Sequence, residues 1–210
     1  MLVLIVGPTG AGKDTLLKAA RRVLGSDRRF RFVQRTITRP PDPKGEEYES
    51  VDEKTFVARR EAGVFALAWR RNGCHYGIPA DIGIDVAQGR IAVANVSRTL
   101  VGDAALAYPV RVIEVTAPPD LLARRLAAQG RLDAVGAASR LARAVRLPDG
   151  LLSETIVNDG TIEQGTRRLV AALLRAAGQA PALSSRAMID PAPSVVALPA
   201  FSRPAEAALS

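Results

Sequence analysis

Apolar and polar positions alternate in blocks that predict strands and helices in turn. Leu2–Val6 is an unbroken apolar run, the mark of a strand buried on both faces of a parallel sheet. Gly7–Gly12 is a glycine-rich turn. In Lys13–Leu24 the residues Leu16, Leu17, Ala20 and Leu24 recur at helical spacing, with Arg21 and Arg22 near the end. Phe30–Val33 predicts a second strand, and Arg35–Tyr48, polar and rich in Pro and Gly, predicts a loop. Val51–Glu61 reads as a helix and Val64–Arg70 as a strand. Ile91–Val96 and Val110–Thr116 read as further buried strands. Pro118–Gln129 is a helix with Leu121, Leu122 and Leu126 inward, and Val135–Val145 a helix dense in Arg. Thr155–Val157 is a short last strand and Thr161–Ala177 an amphipathic last helix. Strands alternating with helices predict an α/β fold, a doubly wound parallel sheet.

From residue 178 to 210 the pattern stops. The segment is mostly Ala, Pro and Ser, with Pro181, Pro191, Pro193, Pro199 and Pro204 and no period, and predicts a disordered tail. The expected division is a folded domain at 1–177 and a tail at 178–210. No internal repeat is visible.

Composition sharpens this picture. Hydrophobic residues make up 48% of the 210 and aromatics only 4%, so the core must be aliphatic. The formal charge is +8, which favours polyanionic partners: nucleic acid, anionic membrane or phosphorylated small molecules. Cys74 is the single cysteine, so no intrachain disulfide forms, which suits a reducing compartment. The apolar start at Leu2–Val6 is short and lacks a preceding basic segment, unlike a signal peptide, and no run is long enough to span a bilayer. The expectation is a soluble cytoplasmic protein without a membrane partner.

Candidate chemistry begins directly after the first strand. Gly7-Pro8-Thr9-Gly10-Ala11-Gly12-Lys13 matches a phosphate-binding loop through its lysine, between the strand and the helix that such a loop requires. Successive backbone N–H groups there cradle phosphate oxygens, the helix N-terminus adds positive potential, and Lys13 offsets charge on a moving phosphoryl group. The pattern then asks for Ser or Thr as a Mg²⁺ ligand, but the chain has Asp14, followed by Thr15. A carboxylate is a good hard ligand, so Asp14 is the expected metal residue, directly or through water; the alternative is a helix cap.

Beyond the loop, Arg35-Thr-Ile-Thr-Arg-Pro40, Gly45-Glu46 and His75-Tyr-Gly-Ile-Pro79 resemble the guanylate kinase family, which has T-T-R-x-P-R-x-G-E and Y-Y-G-T/S-P stretches that grip the acceptor phosphate. The resemblance implies that Arg39 and Tyr76 hold that phosphate, with Tyr48 a looser match and Arg35 beside them. The guanine-reading positions differ: Phe65-Ala-Leu-Ala-Trp69 replaces F-x-E-W, Ile78 replaces a hydroxyl residue, and Asn95-Val-Ser-Arg98 replaces an acidic run. A site stripped of groups that pair a base edge does not select that base. The acceptor is therefore expected to be a phosphate ester without a purine.

That combination is similar to one branch of the superfamily, the ribose 1,5-bisphosphate phosphokinases of phosphonate breakdown, which make 5-phosphoribosyl 1-diphosphate from ATP. Gly-Lys-Asp at 12–14, Ile-Thr-Arg-Pro at 37–40, Tyr-Gly-Ile-Pro at 76–79, Asn-x-Ser-Arg at 95–98, Leu-Ala-x-Arg-Leu at 122–126, Arg-Leu-Ala-Arg at 140–143 and Asn-Asp-Gly at 158–160 carry the match. Gln129 and Lys44–Tyr48 depart from it. The resemblance implies ATP and Mg²⁺ as co-substrate and cofactor and a small sugar phosphate as acceptor. Its acceptor region is at about 35–80, held by Arg39, Ser97 and Arg98. Its lid at about 124–147 has Arg125, Arg131, Arg140 and Arg143 as catalytic candidates; for Arg124 and Arg146 a solvated helix face is preferred. Asn158 would lie beside the adenine, or else simply cap a turn. His75, the only histidine, has no partner at nucleophile–base spacing and reads as structural. Three rivals stay open: a guanylate kinase with an altered pocket, a non-catalytic phosphate-loop module, and a nucleic-acid binder. Aromatics are too few for the last to be favoured, since single strands are held by base stacking.

Overall fold

The structure is a computed structural model that describes residues 1–41, 47–128 and 147–178. The expected helix at 135–145, Arg131, Arg140 and Arg143, most of the lid, and the tail lie outside the described residues.

β1 (Leu2–Val6) is wholly buried, and its alternating side chains feed two separate cores. Val3 and Ile5 face α1 (Lys13–Leu24), through Leu16, Ala20 and Leu24. On the same side lies the C-terminal helix with Leu169, Ala172, Leu173 and Ala176. Leu2, Leu4 and Val6 face the opposite way, onto Ile78, Ile82, Leu100, Val101 and Ala104. Each such aliphatic side chain contributes roughly 1.5–3 kcal/mol on burial, so a polar residue anywhere in β1 would break one of the two cores.

The remaining main-sheet strands are β2 (Phe30–Phe32), β7 (Ile91–Asn95), β8 (Val110–Thr116) and β9 (Ser153–Val157). They run parallel to β1 in the order β2-β7-β1-β8-β9. In this order β7 and β8, joined through α4 (Val101–Ala107), flank β1, and the crevice at the carboxyl ends of β1 and β7 is where open α/β sheets bind ligands. Helix α5 (Pro119–Ala128) follows β8, and α6 (Ile162–Gly178) follows β9. The expected doubly wound parallel sheet is present.

The segment between β2 and β7 builds a second, four-stranded sheet. It orders β4 (Glu49–Ser50), β3 (Thr36–Ile37), β6 (Cys74–Pro79) and β5 (Phe65–Arg71), with β3–β6 and β5–β6 antiparallel. The stretch read as a loop at Arg35–Tyr48 thus contains β3, because Thr36 and Ile37 find partners in Gly77 and Tyr76 far along the chain. Helix α2 (Glu53–Glu61) starts two residues later than the sequence pattern suggested and is capped by Asp52, whose carboxylate accepts from the Thr55 N–H at 2.7 Å. Helix α3 (Ile82–Ala87) and α4 are short and went unseen in the sequence. No described helix is long and apolar enough to cross a membrane.

Candidate active site

The loop between β1 and α1 is shaped by backbone conformations that side chains rarely adopt. Gly7 has φ 136°, and a Cβ there would lie 1.9 Å from the Val115 carbonyl oxygen. Gly12 has φ 89°, and its Cβ would come within 2.5 Å of Asn158 Nδ2. Only glycine fits these positions, which lets the chain turn tightly between the sheet and the helix. Lys13 Nζ donates to the Gly7 and Pro8 carbonyls, both at 2.9 Å, which pins the lysine across the loop.

Asn158, 5% exposed, braces the loop from the far side: Nδ2 donates to the Ala11 carbonyl at 2.8 Å. Its own N–H is bonded to the Thr116 carbonyl at 2.7 Å, so the end of β9 and the end of β8 hold the loop together. The amide also lines the cavity, beside Gly160 and Ile162.

In front of the loop lies a cavity of about 610 Å³, within the size range of small-ligand sites. Its wall joins Thr9, Gly10, Gly12, Lys13, Asp14 and Thr15 to Arg35, Arg39 and Tyr76 around the second sheet, to Ser97, and to Arg125 from α5. Lys13, Arg35, Arg39, Arg71 and Arg125 face one carboxylate, Asp14, among the described lining residues. Such a wall is matched to a ligand carrying several phosphates.

The expected residues occupy different parts of this site. Arg35 is 9% exposed; its Nη1 donates to the Asn95 carbonyl at 3.2 Å, and its guanidinium lies 5.4 Å over the Tyr76 ring. Tyr76 stacks on Trp69 with centroids 5.1 Å apart. Burial pushes the Tyr76 phenol above its ordinary value, against the pull of Arg39, Arg35 and Arg71, so it stays protonated and able to donate. Arg39 reaches the cavity and is steadied by Tyr48, whose hydroxyl accepts from Arg39 Nε at 3.1 Å and whose ring lies 4.8 Å below the guanidinium. Tyr48 therefore supports Arg39 rather than lining the cavity itself. Arg125 Nη1 approaches the Gly10 carbonyl at 3.5 Å.

Arg98 departs from the expectation. The chain turns after Ser97 into a short 3-10 helix, and the Arg98 guanidinium pairs with Glu114 on β8; Ser97 lines the cavity and Arg98 does not. Arg124 pairs with Asp120 at 2.8 Å on the solvent face of α5. His75 is buried, with Nε2 3.2 Å from Glu53 Oε1 and its ring against Phe56, tying β6 to α2 away from the cavity.

Three contributors were missed in the sequence. Trp69 lies under Tyr76, and its signal was the alternation of β5 that turns Phe65, Leu67 and Trp69 to one side. Arg71 Nη2 donates to Thr9 Oγ1 at 3.2 Å from the end of the β5–β6 hairpin. The hairpin signal was Asn72-Gly73, with φ 48° and 75°, the dipeptide that two-residue turns require. The third is Asn95, whose Nδ2 donates to Asp14 Oδ1 at 2.5 Å, and no local pattern announces that pairing.

No protein-family model matches the chain. Its fold is that of a phosphate-loop kinase: the guanylate kinase from Anaplasma phagocytophilum superposes with a TM-score of 0.60 and 21% identity over 84% of each chain. Similarity in sequence is closer elsewhere. Ribose 1,5-bisphosphate phosphokinase PhnN of Methylobacterium radiotolerans is 46% identical over 173 residues, 82% of this chain and 96% of the relative. PhnN of Acidiphilium cryptum is 45% identical over 174 residues, 83% and 92% of the two chains. A bifunctional ribose 1,5-bisphosphokinase-thymidine phosphorylase of Cupriavidus necator is 43% identical over 171 residues, which cover 80% of this chain and 28% of that longer protein. The chain belongs to the ribose 1,5-bisphosphate phosphokinase family.

Proposed function

We propose that this protein transfers the γ-phosphoryl group of ATP to the 1-phosphate of ribose 1,5-bisphosphate, giving 5-phosphoribosyl 1-diphosphate and ADP, as a step of phosphonate breakdown. The bond from the γ-phosphorus to the β–γ bridging oxygen breaks, and a bond from that phosphorus to a 1-phosphate oxygen forms. The attacking oxygen is already anionic near neutral pH, so no general base is needed. That agrees with a cavity whose described wall holds no histidine and only the Asp14 carboxylate.

The observation that carries the reading is this wall, with Lys13 and four arginines around one space. Ile78 is fully buried in the core, and Leu67 and Trp69 point into the same apolar cluster. The work is positioning and charge compensation. The loop N–H groups and Lys13 hold the β- and γ-phosphates; Arg39 and Tyr76 hold the acceptor phosphate; Arg35, Arg71 and Arg125 span the space between.

The residues fit a magnesium–nucleotide group. Loop glycines leave no Cβ in the phosphate cradle, and Asp14 offers a hard oxygen beside it. No cluster of three or more metal-binding side chains exists among the described residues, as suits a metal bound through one carboxylate, phosphate oxygens and water. When bound, Mg²⁺ neutralises charge on the phosphates. The reading includes a cytoplasmic setting, where the lone Cys74 stays reduced.

The test is to follow ATP, Mg²⁺ and ribose 1,5-bisphosphate by phosphorus NMR. A new diphosphate signal growing in step with ADP supports the reading. ADP accompanied by free phosphate alone contradicts it.

A further inference from the structure

Phosphate-loop NTPases commonly hold their metal with two oxygens from different elements: a Ser or Thr hydroxyl after the loop lysine and a carboxylate from a second motif. Here the position after Lys13 is Asp14, and the facing polar side chain is the amide of Asn95. Asn95 is the last residue of β7, paired in register with Ile5 two residues before the loop begins, and it is 6% exposed. Its Nδ2 donates to Asp14 Oδ1 at 2.5 Å, and Arg35 Nη2 lies 3.9 Å from that same oxygen. Both contacts therefore fall on Oδ1, and Oδ2 has no hydrogen-bond partner among the described residues. Arg35 in turn donates to the Asn95 carbonyl at 3.2 Å, which closes a three-residue network.

We infer that this chain carries the metal-holding pair in exchanged form. Asp14 supplies the carboxylate, and Asn95 is the positioning residue that fixes it with Oδ2 turned toward the nucleotide phosphates. The charge chemistry explains why the exchange involves both positions. A second carboxylate at 95 would face the Asp14 carboxylate across a hydrogen-bond distance, and two like charges so close cannot both ionise freely. An amide provides the N–H that the Asp14 carboxylate needs. The pair thus keeps one negative charge, with the donor and acceptor roles fixed. Residues that orient a metal ligand commonly control metal affinity as strongly as tenfold to a hundredfold, so Asn95 should govern metal use without touching the transferred phosphoryl group.

The inference rests on the magnesium–nucleotide part of the proposed function and not on the acceptor. Its test is made on the full chain without acceptor: calorimetric titration of ADP at a series of Mg²⁺ concentrations, with the thermal melt of each metal-free variant recorded as a check on folding. Asn95→Ala should raise the Mg²⁺ concentration needed for tight ADP binding by about tenfold or more. Asp14→Ser should lose the Mg²⁺ effect. The exchange variant Asp14→Ser/Asn95→Asp should recover it to within about tenfold of the parent. Turnover at saturating Mg²⁺ should recover with it, separating a metal defect from a general loss of activity. The inference is overturned if a folded Asn95→Ala variant shows the parent's Mg²⁺ dependence, or if the exchange variant binds metal no better than Asp14→Ser. If ADP binding responds to Mg²⁺ as described but ribose 1,5-bisphosphate is not phosphorylated, the acceptor reading fails and this one stands.

Discussion

Replacing Asn158 by alanine should weaken the protein and its hold on nucleotide together, because one amide braces the phosphate loop. The change removes the 2.8 Å bond from Nδ2 to the Ala11 carbonyl and leaves that acceptor buried. An orphaned buried partner costs about 1–3 kcal/mol. At the middle of that range, and with ~2–4 °C of melting temperature per kcal/mol in a domain of this size, the melt should fall by about 4–8 °C. The loosened loop should raise the KM for ATP by roughly tenfold, the equivalent of ~1.4 kcal/mol, with a much smaller change in the acceptor KM. A double-mutant cycle sharpens the test. Gly12→Ala forces φ 89° on a side chain whose Cβ sits 2.5 Å from the Asn158 amide, so it should be less harmful once that amide is gone. The coupling should be at least ~0.5 kcal/mol, measured by calorimetric unfolding of the two single variants and the double. An unchanged melt for Asn158→Ala, or strict additivity in the cycle, would refute the bracing argument.

Further outcomes follow from the same geometry. Lys13→Ala and Arg39→Ala should each abolish measurable turnover in an ADP-release assay while the circular dichroism melt stays near that of the parent. Arg71→Ala, which frees Thr9 Oγ1 from its 3.2 Å donor, should lower kcat by about tenfold to a hundredfold with little change in stability, since a loosely placed phosphate group loses in-line alignment. Glu49 bridges Arg59 Nη1 at 2.7 Å and the Thr36 hydroxyl at 2.8 Å, and its pKa lies below the ordinary 4.5, with the Arg59 hydrogen bond the largest cause. A depressed carboxylate stabilises above its unfolded pKa and loses that contribution as the pH falls through the folded value. Melts recorded from pH 6 downward should therefore fall less steeply, below about pH 4.5, for Glu49→Gln than for the parent.

How much of this was legible depended on the range of the interactions. β1, the phosphate loop and α1 were readable residue for residue, because a buried apolar run, a glycine turn and a helical stripe are local signals. β8 was equally plain at Val110–Thr116. β6 was not, because Gly77 and Pro79 lower its strand propensity and only pairing with β5 compensates. α3 and α4 were hidden by their length, too short for an apolar period to register. Within the site, Lys13 was read from the phosphate-loop pattern and Arg39 and Tyr76 from the guanylate kinase resemblance, and all three line the cavity. Asn95 was passed over because its partner Asp14 lies across the β1–β7 register. Arg98 was expected at the acceptor, since nothing in the sequence reveals that Glu114 on β8, beyond β1, takes it up.

The central claim is that the acceptor is a sugar phosphate without a base. One coupled ADP-release assay, with ATP, Mg²⁺ and either ribose 1,5-bisphosphate or GMP, tests it most directly. The account predicts saturable turnover with ribose 1,5-bisphosphate and none above background with GMP. Turnover with GMP and not with the sugar bisphosphate would contradict it, and would mean that Ala66–Ala68, Ile78 and Asn95 still frame a purine site.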